Sequence, residues 1–84
     1  MLSIQYFASI REALDRSEEQ LELPASVATV DQLIAHLLQL NPHFKAVFNG
    51  KDKILVAVNQ TVADKNCLLS DNDEVAFFPP MTGG

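Results

Sequence analysis

Apolar and polar residues alternate at the start of the chain. Leu2, Ile4 and Tyr6 are separated by Ser3 and Gln5, a period of two that is typical of a β-strand with one apolar face. A short helical turn is predicted to follow over residues 8–14. Further strands are predicted at residues 20–23, 54–58, 61–63 (the weakest) and 74–78.

One segment has the period of a helix, from about Val30 to Leu40. Thr29 can cap its first turn, with Gln32 answering three residues later. Pro42 ends this helix and is expected to begin a short second helix that reaches residue 47. The apolar stripe of the main helix has the i, i+3, i+4, i+7, i+8 spacing and consists of Val30, Leu33, Ile34, Leu37 and Leu38.

These elements predict an α+β fold in which one main helix packs on one face of a mixed sheet of about five strands. Alternation sends Phe7 and Phe78 to the opposite face, which has no second helix to cover it. Two exposed phenylalanines on a small domain indicate a partner surface, unless a loop covers them. The helix stripe is expected to pack against Leu2, Ile4, Tyr6, Ile54, Val56, Val58, Val75 and Phe77.

Composition narrows the function classes. The chain has 84 residues, 48 % of them hydrophobic and 20 % charged, so a single domain over residues 1–84 is expected. Six basic and eleven acidic residues give a net charge of −5, without the basic face that nucleic acid binding needs. No apolar window is long enough to span a membrane, and the strand-like N-terminus does not fit a signal peptide. A cytoplasmic protein without a membrane partner is therefore expected.

Few residues offer chemistry of their own. Cys67 is the single cysteine, so it cannot form an internal disulfide, and a buried, inert thiol is expected. His36 and His43 are not spaced as metal ligands with each other or with the cysteine, and His36 is expected on the polar side of the main helix. The acidic run at residues 71–74 predicts a turn rather than a calcium loop.

The C-terminus carries the strongest functional signal. Two prolines at 79–80 follow Phe78 and hold the backbone extended, so a flexible tail of about residues 79–84 projects from the last strand. Gly83 and Gly84 lack a Cβ atom and can pass a narrow channel. We interpret the Gly84 carboxylate as a reactive group on an arm, with a frayed terminus as the alternative.

The whole chain resembles the small subunit of molybdopterin synthase, a family of ubiquitin-like sulfur carriers with a β-grasp fold. Residues 38–53 carry no matching motif. The resemblance rests on FASIRE at 7–12, AVNQT at 57–61, DNDEVAFFPP at 71–80 and the closing GG at 83–84.

This resemblance implies a chemistry located at the C-terminus. A partner related to ubiquitin-activating enzymes uses ATP to adenylate the Gly84 carboxylate, and a sulfur donor protein then converts it into a thiocarboxylate. The carrier docks on the large synthase subunit, two copies of each forming a heterotetramer, and donates sulfur to a cyclic pyranopterin precursor to build the molybdopterin dithiolene. The chain itself is expected to bind no cofactor and no metal, and catalysis belongs to the complex.

The resemblance also implies roles for individual residues. Gly84 carries the activated carbonyl and Gly83 provides the slim approach. Arg11 matches a partner contact, although a local ion pair with Glu12 or Asp15 is an alternative. The partner-binding set as a whole is Phe7, Arg11, Val62, Phe78, Pro79, Pro80, Met81 and Thr82.

Other functions remain open at this stage. A sulfur carrier for thiamine synthesis or tRNA thiolation would share the tail chemistry. A ubiquitin-like protein modifier would instead form isopeptide bonds through Gly84. A plain interaction module with an inert tail is the third alternative.

Overall fold

The computed structural model of the chain describes residues 1–48 and 54–80, without the side chain of His43. Met81 to Gly84, including the predicted end of the tail, lie outside the described residues. In chain order the elements are β1 (Leu2–Tyr6), α1 (Ala8–Leu14), β2 (Glu18–Leu21), α2 (Val30–Leu40), a 3-10 turn (Pro42–Phe44), α3 (Lys45–Phe48), β3 (Leu55–Val58), β4 (Thr61–Ala63) and β5 (Glu74–Phe78).

The five strands form one mixed sheet in the order β2-β1-β5-β3-β4. The central pair, β1 and β5, is parallel, and the other three pairs are antiparallel. The main helix α2 covers one face of this sheet and contributes three fully buried residues to the core. The predicted α+β architecture, with one main helix on a mixed sheet of five strands, is confirmed.

The second strand lies two residues earlier than predicted, at Glu18–Leu21 instead of 20–23. Its register pairs Leu21 with Leu2 and Glu18 with Gln5. The sequence of this edge strand is mostly polar, so its own pattern carries little register information and its pairing with β1 decides where it begins. The other strands match the prediction, except that β3 begins at Leu55 rather than at residue 54.

The capping interaction predicted for α2 is present. Thr29 Oγ1 accepts from the Gln32 backbone N–H at 3.2 Å, and Gln32 Oε1 accepts from the Thr29 backbone N–H at 3.2 Å. Ile34 and Leu38 of the stripe are half-buried at the edge of the core. The buried core comprises Leu2, Ile4, Tyr6, Ile10, Leu14, Val27, Val30, Leu33, Leu37, Phe44, Val56, Leu69, Val75 and Phe77.

A polar network closes one side of this core. The buried Tyr6 hydroxyl donates to Glu19 Oε1 at 2.5 Å, and Arg16 Nη1 donates to Glu19 Oε2 at 2.7 Å. The Arg16 guanidinium also lies over the Phe44 ring, 5.2 Å from its centroid. Burial, with the hydrogen bond to the Glu19 carboxylate as a second cause, raises the pKa of Tyr6 above its ordinary value. The phenol therefore stays neutral and keeps donating throughout the physiological pH range.

We expect Leu37→Ala to destabilise the fold by about 2–5 kcal/mol, because it leaves a cavity in a close-packed core. Leu37 is 1 % exposed, whereas Leu40 on the same helix is 54 % exposed. Leu40→Ala is therefore the matched control and should change the free energy of unfolding by less than about 1 kcal/mol. Urea denaturation of the two variants measures both values, and equal losses would contradict the assignment of the core face.

We expect Gln60→Gly to stabilise the protein by about 0.5–1 kcal/mol. Asn59 and Gln60 join β3 to β4 with φ angles of 51° and 69°, which are the left-handed angles of a type I′ hairpin turn that favours Asn-Gly. Asn59→Gly is the control, because it loses the Asn59 side-chain bonds to Asp73 and to the Glu74 N–H, each 3.0 Å long. Thermal unfolding should rank Gln60→Gly above wild type and Asn59→Gly below it.

Candidate functional site

Phe7 is an exposed aromatic residue on a firmly held backbone. Its N–H donates to the Phe77 carbonyl at 3.1 Å, and its own carbonyl accepts from the Ile10 N–H at 3.1 Å at the start of α1. Its side chain is 44 % exposed, so the prediction of an exposed phenylalanine here is confirmed. The next residue, Ala8, has a φ of 53°, an angle that costs a non-glycine residue about 1–2 kcal/mol. The fold accepts this cost where the chain turns from strand into helix beside Phe7.

Phe78 lies on the same outer face, next to the core residue Phe77. Its Cα pairs with Leu55 of β3, and side chains of paired residues stand on one face about 5 Å apart. Phe78 is half-buried, so the expectation of two exposed phenylalanines is confirmed for Phe7 and wrong for Phe78. We attribute the partial burial to the neighbouring Leu55 side chain, which occupies the same face.

Val62 extends the apolar surface across the sheet. It is 71 % exposed, and the register pairs it with Ala57, which in turn pairs with Ala76. Ala57 is buried but does not belong to the core cluster, as expected for a small residue on the outer side of a central strand. We call the outer apolar face the set Phe7, Leu55, Ala57, Val62, Ala76 and Phe78.

The tail begins at one end of this face. Because β1 and β5 are parallel and Tyr6 pairs with Phe77, the end of β1 that leads to Phe7 and the end of β5 that leads to the tail lie side by side. Pro79 is half-buried and Pro80 is exposed. The predicted roles of Met81, Thr82, Gly83 and Gly84 fall on residues outside the described part of the chain.

Arg11 is exposed on α1, one turn after Phe7. Among residues 1–48 and 54–80, the ion pairs are Arg16–Glu19 and the Met1 ammonium with Asp71. The alternative of a local pair between Arg11 and Glu12 or Asp15 is therefore wrong in this structure. The role of Arg11 as a partner contact stays a prediction.

Of the residues with possible chemistry of their own, Cys67 departs from the expectation and His36 lies on the polar side of α2 as predicted. Cys67 is half-buried rather than buried, because it lies in a turn outside the regular strands, where its Sγ approaches the Leu68 carbonyl oxygen at 3.6 Å. His36 is half-buried on α2 beside Gln32 and Gln39. The acidic run at 71–74 does contain a turn, in which Asn72 has a φ of 72°.

Within the described ranges, no three His, Cys, Asp or Glu residues are grouped so that they could hold a metal ion. The helices of the same ranges are all too short or too polar to cross a membrane. The outer apolar face and the tail that leaves beside it are thus the features that suggest a function. Leu55, Ala57 and Ala76 were not predicted as part of the face, although their alternation with Val56 and Phe77 places them there.

Similarity to solved structures identifies the class of protein. The small archaeal modifier protein SAMP1 of Haloferax volcanii superposes with a TM-score of 0.78 at 25 % identity, covering 99 % of this chain and 98 % of that one. A Pyrococcus furiosus protein described as molybdopterin converting factor subunit 1 gives 0.75 at 27 % identity, covering 95 % and 97 %. A complex of subunits 1 and 2 of molybdopterin-converting factor from Helicobacter pylori shares the fold at 21 % identity with a TM-score of 0.68, covering 99 % and 97 %. The fold is the β-grasp of ubiquitin-like proteins, as the resemblance implied.

Sequence comparison then gives the family. The model of the ThiS family matches residues 4–84, and the chain belongs to this family. The molybdopterin synthase sulfur carrier subunit of Haemophilus influenzae is 39 % identical over 84 residues, covering 100 % of both chains. The protein of the same name from Escherichia coli is 37 % identical with the same coverage.

Proposed function

We propose that the chain is the sulfur carrier subunit of a molybdopterin synthase. The observation that carries the proposal is the full-length similarity to proteins of that name, in a chain whose last strand leads from an outer apolar face to a Gly-Gly terminus. The geometry fits a carrier, because a rigid face can dock while a slender arm reaches into a partner. A carboxylate at the end of that arm is the one group that the proposed chemistry needs.

Activation of the Gly84 carboxylate is the first step. A free carboxylate is a poor electrophile, so an adenylating enzyme related to ubiquitin-activating enzymes uses ATP to form an acyl-adenylate and releases pyrophosphate. A sulfur donor protein then displaces AMP and leaves a thiocarboxylate. The chain's own contribution is to place its C-terminal carboxylate in the activating centre, where Gly83 and Gly84 present little bulk. ATP binds to the partner rather than to this chain.

Sulfur transfer takes place in the complex with the large subunit. The outer apolar face, with Phe7, Val62 and Phe78, docks on that subunit, and Arg11 contributes a charged contact at its edge. At full extension six residues, as from Pro79 to Gly84, would span about 20 Å, enough to place the sulfur in the partner's active site. There the thiocarboxylate sulfur attacks the cyclic pyranopterin precursor, and water then cleaves the bond between the sulfur and the Gly84 carbonyl carbon, which restores the carboxylate of the carrier. Two such deliveries form the dithiolene.

The functional assembly contains two carriers and two large subunits and works in the cytoplasm. The partner pocket that receives the arm is basic, because it must accept a negatively charged terminus and a phosphorylated precursor. The carrier carries a net charge of −5, which favours approach to such a surface. An interface formed by the outer apolar face would be apolar at its centre and charged at its rim, as stable interfaces commonly are.

A protein modifier is the second candidate function, favoured by the structural similarity to the Haloferax volcanii modifier protein. Intact mass spectrometry of the chain purified from its own cells separates the two. The carrier is expected to show the mass increase of one oxygen replaced by sulfur at the C-terminus, and to lose it on treatment with an oxidant. A ladder of conjugates to other proteins would favour the modifier, and an unmodified chain under molybdenum-cofactor demand would contradict both.

A further inference from the structure

A shallow cavity of about 400 Å³ lies at the β4 edge of the sheet, away from the tail. Its lining residues are Val58, Thr61, Val62, Ala63, Asp64 and Cys67. Thr61 and Ala63 pair with Val58 and Val56, so they share the face of the sheet that the core occupies. The cavity therefore lies mainly on the inner face of the sheet at its β4 edge, and Val62 adds to it from the outer face.

The cavity has apolar walls and one charge. Asp64 is exposed, and its Oδ1 accepts from the Asn66 N–H at 2.8 Å. In the part of the chain that the structure describes, no lysine or arginine forms an ion pair with this carboxylate. Valine, alanine, a threonine methyl and a thiol form the remaining surface. This combination suits a side chain with an apolar stem and a cationic end.

The cavity is continuous with the surface proposed for docking. Val62 belongs both to the outer apolar face and to the cavity lining, so a partner that covers the face also reaches the β4 edge. Leu68, which follows the lining residue Cys67 in the chain, is 73 % exposed and adds to the apolar surface of this region. A protein bound to the outer face can therefore extend one side chain around β4.

We infer that this cavity receives an arginine side chain of the large subunit, with its methylene groups against Val58 and Val62 and its guanidinium on Asp64. Arginine suits the site better than lysine, because its head group is more weakly hydrated and bonds a carboxylate through two N–H groups. The inference rests on the proposed function and adds a specificity contact to it. The large subunit would then recognise the carrier at two places, the outer apolar face and the acidic cavity at the β4 edge of the sheet.

The test compares charge removal inside and outside the cavity. Asp64→Asn keeps the oxygen that accepts from Asn66 but removes the charge, and we expect the Kd for the large subunit of the same organism to rise about tenfold. Glu22→Gln is the matched control, an exposed acid beyond β2 at the opposite edge of the sheet, and its Kd should stay within about twofold of wild type. Equal effects of the two variants would overturn the inference.

A second variant and a double-mutant cycle identify the side chain of the large subunit that enters the cavity. Ala63→Leu narrows the cavity but leaves Asp64 in place, and it too should weaken binding about tenfold with unchanged thermal unfolding. When the arginines at the large subunit's interface are changed singly to glutamine, one of them should be non-additive with Asp64→Asn. Coupling to no arginine, or to a lysine instead, overturns the inference.

The outcomes also separate this inference from the proposed function. If Phe7→Glu abolishes binding while Asp64→Asn binds as wild type does, the docking face stands and the cavity inference fails. If wild-type carrier does not bind the large subunit, the proposed function fails and the cavity inference fails with it. A tenfold effect of Asp64→Asn that Glu22→Gln does not share supports both.

Discussion

Deletion of Gly84 is expected to abolish acyl-adenylate formation and to leave the stability of the fold unchanged. The deletion shortens the arm by about 3.5 Å, and a misplacement of even about 1 Å at a reacting group can cost about 100-fold in rate. Within residues 1–48 and 54–80 the core residues lie between Leu2 and Phe77, so removal of the last residue is expected to leave this core intact. ATP–pyrophosphate exchange with the adenylating partner measures the first effect, and thermal unfolding measures the second.

Gly84→Ala separates two requirements for acyl-adenylate formation, the length of the arm and the absence of a side chain at its last residue. It keeps the position of the carboxylate but adds a Cβ atom, so activity between those of the deletion and the wild type is expected if the approach channel is narrow. A deletion variant that still forms the acyl-adenylate would end the idea that Gly84 is the activated residue. A deletion that lowers the melting temperature would show that the terminus has a structural role.

Phe7→Glu and Phe78→Glu are expected to weaken binding to the large subunit at least about 100-fold, equivalent to about 2.7 kcal/mol. Buried aromatic residues dominate interface energies, and a glutamate in their place brings an unpaired charge into an apolar contact. The backbone of Phe7 is held by its bonds to Phe77 and Ile10, so the substitution should leave the fold in place. Isothermal titration calorimetry with the purified large subunit gives the affinity.

Leu40→Glu is the control for these two variants. It adds the same charge at an apolar residue that is 54 % exposed, at the end of α2 and outside the outer apolar face. Its affinity should match that of wild type, and the melting temperatures of Phe7→Glu and Leu40→Glu should lie within about 4 °C of it. Unfolding by Phe7→Glu would mean that Phe7 supports the core. Equal losses of affinity in Phe7→Glu and Leu40→Glu would mean that the face does not dock.

The parts of the fold that the sequence predicts well are those with a strong local signal. The α2 helix has both a full apolar stripe and a capping box at Thr29 and Gln32, so its bounds were predicted as observed. The edge strand β2 has neither, and its register depends on backbone pairing with β1, which a one-dimensional pattern does not contain. The predicted strand was therefore displaced by two residues.

The candidate site likewise has features that the sequence predicts and features that depend on tertiary structure. Phe7 and Phe78 lie in motifs that carry the family resemblance, and Val62 was named from the resemblance alone. Strand alternation predicted the exposure of Phe7 correctly. Two features of the outer apolar face depend on which strands are neighbours, and this is tertiary information. They are the partial burial of Phe78 beside Leu55 and the alignment of Val62, Ala57 and Ala76 across three strands. The half-buried state of Cys67 depends on a turn whose path no periodicity describes.

Sulfur transfer in a reconstituted system tests the central claim most directly. The measurement combines the thiocarboxylated chain, the large subunit and the cyclic pyranopterin precursor, and follows the appearance of the dithiolene product. The account predicts that dithiolene forms, with two carriers consumed for each product molecule and none formed from the unmodified carboxylate chain. Sulfur transfer to a thiazole precursor or to tRNA, with none to the pterin, would contradict it and place the protein in a sister pathway.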